Sequence, residues 1–242
     1  MTDSNHARAI ESPAVEAAVG ELVAAIFASL QTIADATRDL WDRLESTSTA
    51  PRTVDLAGLR EVIVGELQRR GTMFNGTGVV VADQLLADSP RYLEWWRTDH
   101  KHGGAAQKLS LDLNPNSEYF YDYTSMEWFA VPRDRAIPWV YGPYLDYTGV
   151  DLYVCTFGVP ITSTGGRFLG VAAADVPVAA LDAKLLPTFT AASQPVALIN
   201  AEGRVIVANH VDHVTGSKIR TSDRLQTQQI PNTPWSLVRL NP

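Results

Sequence analysis

Only one cysteine and five histidines stand among the 242 residues. A lone thiol cannot close an intrachain disulfide, so no covalent framework holds this chain. That cysteine, Cys155, lies in the apolar run from Leu152 to Phe157. It reads as a small core residue, because a reactive thiolate needs a cationic and accessible setting. The histidines cluster only as His100-Lys101-His102 and His210-Val211-Asp212-His213. The first cluster reads as solvated loop. The second has a loose metal-like spacing with no third ligand beside it. No metal and no cofactor is therefore expected. Basic runs are also missing, and the net charge is -7. That excludes a surface built to neutralise phosphates, whether of nucleic acid or of an anionic membrane. The N-terminus has no basic segment followed by an apolar core. The uninterrupted apolar runs read as shorter than the ~18 to 20 residues of a membrane span. A cytoplasmic protein with no membrane contact is the expectation, and Asn75-Gly76-Thr77 is then a turn rather than a glycosylation acceptor. Catalytic signatures are absent too. There is no Gly-x-Ser-x-Gly elbow, and Gly76-x-Gly78 and Gly165-Gly166 lack the lysine and helix of a phosphate loop. Asp146 and Asp151 flank a turn without a visible orienting partner.

Aromatic residues are what the chain concentrates. Twelve of the 21 lie between Tyr119 and Phe157, including seven of the eight tyrosines. Tyrosine and tryptophan carry polar tips that want partners when buried, so this density exceeds what a core needs. Aromatic walls with a few fixed polar groups make a small-molecule pocket. Hydrophobic residues at 45% and charged ones at 19% fit an ordinary globular chain, able to bury a core around such a pocket.

The periodicity predicts one long helix over residues 12–46, with an apolar stripe at Val15, Val19, Leu22, Ile26, Leu30, Ile33, Ala36, Leu40 and Leu44. Such a stripe serves either a dimer seam or packing against its own chain. A polar linker ending at Pro51 follows, then a helix over about 56–70 closed by Gly71. Strands are predicted over 77–82, 107–113, 150–161 and 167–176, the last two joined by a turn at Thr164-Gly165-Gly166. Residues 91–98 are ambiguous between strand and helix. Residues 118–130 suit a short helix closed by Pro132. Pro138, Gly142 and Pro143 predict a loop. Pro177 opens a helix that Pro187 stops. Beyond it, residues 195–200 and 204–209 predict a hairpin, and 235–240 a closing strand. The fold class is α+β, with a long N-terminal helix (1–50), an antiparallel-sheet ligand-binding domain (51–192) and a small α/β module (193–242).

The order of these pieces resembles the PAS-like sensor domains of the Cache family. The resemblance is carried by Trp128-Phe129-x-x-Pro132, Pro138-Trp139-x-x-Gly142-Pro143-Tyr144-x-Asp146, Thr156-Phe157-x-x-Pro160-Ile161 and Gly166-Arg167-Phe168-Leu169-Gly170-Val171-x-x-x-Asp175-Val176. Val196-x-Leu198-Ile199-Asn200-x-x-Gly203-Arg204-Val205-Ile206 is similar to the start of the second module of double-Cache sensors. The family implies sensing of amino acids, amines, carboxylates or purines, usually by membrane receptors. This chain carries no output region, so it looks like a free-standing sensor. In the amino-acid-binding subset a tyrosine, an arginine, a tryptophan-tyrosine pair, a later tyrosine and an aspartate line the site. The resemblance places Tyr121, Trp128, Phe129, Tyr144 and Asp175 in those roles. The arginine position is Met126, which removes the expected carboxylate fork unless Arg133 or Arg135 substitutes.

An aromatic box plus a carboxylate suits an ammonium. The expected site is Tyr121, Trp128, Phe129, Trp139, Tyr141, Tyr144, Asp146 and Asp175. The competing reading of Asp175 is a cap for the helix opening at Pro177. The expected function is a homodimeric sensory module for an amine, quaternary ammonium or amino-acid-like metabolite, reporting to a transcription regulator or another partner. An enzyme using the same pocket and a ligand-free scaffold are the alternatives.

Overall fold

The computed structural model describes residues 12–99, 104–146, 152–219 and 227–240. Backbone contacts group the chain into two compact units. One is Ala25–Pro177. The other joins the N-terminal residues through Ala24 to Val178–Pro242. The fold is α+β with a long N-terminal helix and antiparallel sheets.

Helix α1 runs Pro13–Ser46. Its stripe residues Val15, Val19, Leu22, Ile26, Leu30 and Ile33 are buried, so this face packs within the chain itself. The helix also contains an 18-residue window of mean hydropathy 1.6, and by length and composition it is long and apolar enough to cross a membrane. The sequence expectation that no stretch reaches spanning length is corrected by that window. Single acids break the apolar runs, but averaged over a window they do not outweigh the alanine, valine and leucine around them.

In the Ala25–Pro177 unit, helix α2 (Thr53–Leu56), a 3-10 turn (Ala57–Leu59) and helix α3 (Arg60–Gln68) form nearly continuous helical chain. The sheet consists of β1 (Gly76–Val81), β2 (Leu93–Asp99), β3 (Ala105–Lys108), β4 (Trp139–Asp146), β5 (Leu152–Thr162) and β6 (Phe168–Pro177). Their order across the sheet is β3-β2-β1-β6-β5-β4, and every described pairing is antiparallel. Side chains alternate between the two faces. Phe157 on β5 meets Phe27 of α1 edge-to-face, with ring centres 5.6 Å apart. Its neighbours Thr156 and Gly158 therefore point to the opposite face. That second face is covered by helix α4 (Glu127–Arg135) and by the chain leading into it.

Three prolines depart from expectation. Pro132 lies inside α4, which continues to Arg135 and ends on Ala136 in the left-handed region. A proline at 132 leaves the Trp128 carbonyl without its helical donor. Gly158 closes on that carbonyl so tightly that a Cβ at 158 would lie 2.4 Å from it. Pro143 sits within strand β4 after a cis Gly142–Pro143 bond, where the register shifts between Tyr141 and Tyr144. A proline is tolerated there because β4 is an edge strand. Pro187 lies inside helix α5 (Val178–Thr190), whose buried Leu181, Leu185 and Phe189 repeat every fourth residue and carry the helix past it.

The strand predicted over 107–113 is corrected as well. β3 ends at Lys108, and beyond it Leu109 still bonds through its N–H to the Trp95 carbonyl. Leu109, Leu111 and Leu113 keep their inward alternation without a paired strand, packing on the core cluster around Val80, Trp95 and Trp128. The ambiguous 91–98 segment is strand β2.

In the other unit, β7 (Val196–Ile199), β8 (Val205–Ala208), β9 (Thr227–Gln229) and β10 (Ser236–Arg239) form a sheet ordered β8-β7-β10-β9. Helix α5 packs on β8. The hairpin over 195–209 and the closing strand are present as expected. Gln228 on β9 donates a 2.5 Å hydrogen bond to Glu16 of α1.

Candidate ligand pocket

Asp175 holds a central place on β6. In the antiparallel register it lies directly between Gly76 of β1 and Thr156 of β5. Gly76 offers no side chain, and the Trp95 ring lies over it, with its Nε1 2.6 Å from where a Cβ would stand. Thr156 donates its hydroxyl hydrogen to Asp175 Oδ1 at 2.7 Å. The Tyr144 hydroxyl in turn meets Thr156 Oγ1 at 2.7 Å. Asp175 does not cap α5; its carboxylate is engaged on the sheet.

These residues open onto a cavity of about 30 Å³. Val80, Leu93 and Trp95 from β1 and β2 form its floor, and Leu109, Leu111, Tyr121 and Tyr123 come from the chain between β3 and α4. Trp128, Tyr144, Asp146 and Asp175 complete it. A water needs roughly 10–15 Å³, so in this form the cavity admits about two. The chain over Leu109–Tyr123 forms its roof. That roof is anchored by the Tyr123 hydroxyl, which donates to the Val81 carbonyl at 2.9 Å. It is braced by the Tyr121 N–H on the Asp112 carbonyl at 2.8 Å. At its end Arg91 bridges Asp83 at 3.1 Å and Asp122 at 3.4 Å.

The electrostatics are one-sided. Among the described residues two carboxylates and three tyrosines line the cavity, and no lysine, arginine or histidine does. Burial pushes the Asp175 carboxyl up to about 7, opposed by the Thr156 hydrogen bond and reinforced by the Asp146 charge. Burial, followed by the charges of Asp175 and Asp146, raises the Tyr121 hydroxyl well above its ordinary value. Tyr144 is raised by the same causes, with its Thr156 hydrogen bond opposing. Both tyrosines are therefore neutral. Trp128 is buried, and its indole N–H has no hydrogen-bond partner among the described residues.

Of the eight residues expected from sequence, the structure brings Tyr121, Trp128, Tyr144, Asp146 and Asp175 together around this cavity. Phe129 is instead enclosed in the core, edge-to-face with Tyr123 at 5.1 Å and Phe168 at 5.8 Å. Tyr141 packs beside Tyr144, ring centres 5.3 Å apart, outside the lining. Trp139 on β4 pairs with Gly158 of β5 and also stands outside the lining. Met126 caps the start of α4 and packs on the core. Arg133 is bonded to Asp134 at 2.7 Å and to the Thr124 carbonyl at 3.2 Å, and neither it nor Arg135 lines the cavity. Tyr147, Asp151 and the His100–His102 cluster lie outside the described residues. The rings of His210 and His213 stand 5.4 Å apart, and no metal-holding group of three ligands occurs among the described residues. Cys155 is buried, and burial raises its thiol far above the ordinary value.

Sequence reasoning missed Trp95, Leu109, Leu111, Tyr123 and Thr156. The alternating leucines carry a signal, but alternation alone predicts a strand. The helix-strand ambiguity of residues 91–98 hides Trp95.

Comparison with known proteins fits this geometry. The family model described as methyl-accepting chemotaxis protein-like, first PDC sensor domain, matches residues 69–183. That segment is similar to the first sensor domain of chemoreceptors of this type. It contains every residue lining the cavity. Among solved structures the chain is similar to methyl-accepting chemotaxis protein X, with a TM-score of 0.62 and 15% identity, covering 95% of this chain and 97% of that one. It is also similar to the ligand-binding domain of the amino acid chemoreceptor PctC of Pseudomonas aeruginosa in complex with GABA. There the TM-score is 0.55 at 13% identity, with 95% and 96% covered. The ligand-binding domain of the Pseudomonas fluorescens chemoreceptor CtaA in complex with L-valine gives 0.51 at 13% identity, with 93% and 89% covered. At such identities these structures share the PDC fold, the PAS-like architecture of a long helix and antiparallel sheets. No curated protein matches the sequence.

Proposed function

We propose that this chain is a sensory ligand-binding domain whose pocket takes a small molecule through a positively charged nitrogen. One observation carries the reading. The cavity presents Asp146 and Asp175 amid aromatic walls, with no basic side chain lining it among the described residues. An ammonium meets the buried Asp175 carboxylate with opposite charge, and each aromatic face turned to a desolvated cation adds ~0.5 to 2 kcal/mol. An α-amino acid would bring a carboxylate for which the described lining offers no cation. The PDC match supports a sensing role, and GABA, bound by one similar protein, carries an ammonium at one end. The occupied state is read by a signalling partner, a transcription regulator among them, through movement of the pocket roof. Such signalling requires the ligand to prefer one of two states.

A thermal-shift screen against amines, quaternary ammoniums, amino acids, carboxylates and purines tests this. A ligand at 100 times its dissociation constant stabilises by ~2.7 kcal/mol. The expected hits are cations, lost in Asp175→Asn, and recovered chemically unchanged after incubation. Stabilisation by carboxylates alone defeats the reading, and turnover of the hit moves the protein to the enzymes.

A further inference from the structure

Strand β2 is held on both edges and from behind, and that hold sets a limit on ligand shape. Trp95 faces the pocket, while its neighbours Glu94 and Trp96 point to the other face of the sheet. There the buried Glu94 carboxylate accepts hydrogen bonds from the Tyr92 hydroxyl at 2.6 Å, the Trp96 indole N–H at 2.8 Å and the Lys108 ammonium at 2.6 Å. The Arg60 guanidinium lies over the Trp96 ring, 4.8 Å from its centre. On one edge β1 brings Gly78 opposite Trp95, so closely that a Cβ at 78 would stand 2.7 Å from the Trp95 Cα. On the other edge the Trp95 carbonyl accepts the Leu109 N–H at 2.9 Å. The backbone under Trp95 therefore has no room to retreat. Its indole is laid over Gly76, which lies directly beside Asp175 in the register. Any side chain at 76 would compete with the indole for that place.

We infer that Trp95, seated on Gly76, is a steric filter that makes the pocket take amines unbranched at the carbon bearing the nitrogen. The inference rests on the cationic reading of the pocket and narrows it to a shape. A cation drawn to Asp175 brings its first carbon next to the indole, because only the side-chain-free Gly76 separates the two on the sheet. A straight chain passes the ring with one methylene. Further methyl groups on that carbon have to displace a buried ring whose backbone is fixed. In a close-packed site such overpacking is unfavourable, and one surplus methyl group costs ~tenfold or more in affinity.

The test uses n-butylamine and tert-butylamine, isomers of equal charge, titrated calorimetrically at pH 8 into the full chain and into Trp95→Leu, Trp95→Phe and Gly76→Ala. The wild-type chain is expected to prefer n-butylamine by ~tenfold or more. Trp95→Leu should bring the preference below about threefold by tightening tert-butylamine. Trp95→Phe, the milder change, should move it in the same direction and serves if the leucine variant does not fold. Gly76→Ala puts a methyl group where the indole edge lies and should weaken both amines, and adding Trp95→Leu to it should restore n-butylamine. A general loss of folding would weaken both probes together, so a gain for tert-butylamine marks an opened filter. Equal affinity of the two isomers for wild type, or a preference unchanged in both Trp95 variants, overturns the inference and leaves the cationic reading standing. Binding of neither amine removes the cationic reading and this inference with it.

Discussion

Asp175 is the residue at which stability and the proposed binding oppose one another. Its carboxyl sits at about 7 against an ordinary 3.8, chiefly because burial penalises its charge. The folded empty chain therefore holds a proton that the unfolded chain releases at lower pH. The stability conferred by that proton is full below pH 3.8 and is lost as the pH rises through about 7. Asp175→Asn, which cannot ionise, should make the empty protein more stable than wild type at pH 8 and not at pH 4, as read from urea midpoints. Affinity should run the other way. On the proposed reading an amine meets the ionised carboxylate, so its dissociation constant should tighten as pH rises to about 7 and level off above it. A flat profile in calorimetric titrations over pH 5 to 9 would show that Asp175 is not the counter-charge. The charge at this position was legible in the sequence through its motif. Its hydrogen-bonded partner was not, because Thr156 meets Asp175 only through the register of two long strands.

Among the elements, α4 shows how one local exception is accommodated by another segment. Pro132 withholds the helical donor from the Trp128 carbonyl, and β5 brings Gly158 close against it. Gly158→Ala would drive a Cβ to 2.4 Å from that carbonyl, which is backbone and cannot swing aside. The expected cost is ~1 to 3 kcal/mol of unfolding free energy, together with displacement of Trp128 from the cavity wall. Urea denaturation and Trp fluorescence measure the two effects, and an unchanged midpoint would mean that α4 is free to slide. A sequence reader sees Pro132 and ends a helix, since the compensating glycine is 26 residues away. The same limit explains Leu109 and Leu111. Alternation shows which side chains face inward, but it does not show whether a neighbouring strand is there to pair with. The long helix, the β5–β6 hairpin and the β7–β8 hairpin were legible because periodicity and turn residues are local signals.

On the scale of the whole molecule, the chain spreads a net charge of -7 over its sequence and gathers two of those acids in one aromatic cavity. Because that cavity admits about two waters, occupancy by anything larger should be felt first in its roof. Hydrogen exchange with and without a bound amine should show altered protection over Leu109–Tyr123 and added protection at Thr156 and Asp175, and little change in the strands β7 to β10. Protection confined to β7–β10 would place the ligand elsewhere. The fold class was readable from the order of elements, and the length and composition of α1 show why a single helix is ambiguous. Its stripe is buried in its own chain, yet its composition also suits a membrane. The most direct measurement is a calorimetric titration at pH 8 with three ligands of one carbon skeleton, n-butylamine, butyrate and n-butanol. Binding of the amine alone is the predicted result, since only the cation meets Asp146 and Asp175. Binding of butyrate, or equal binding of all three, would contradict it.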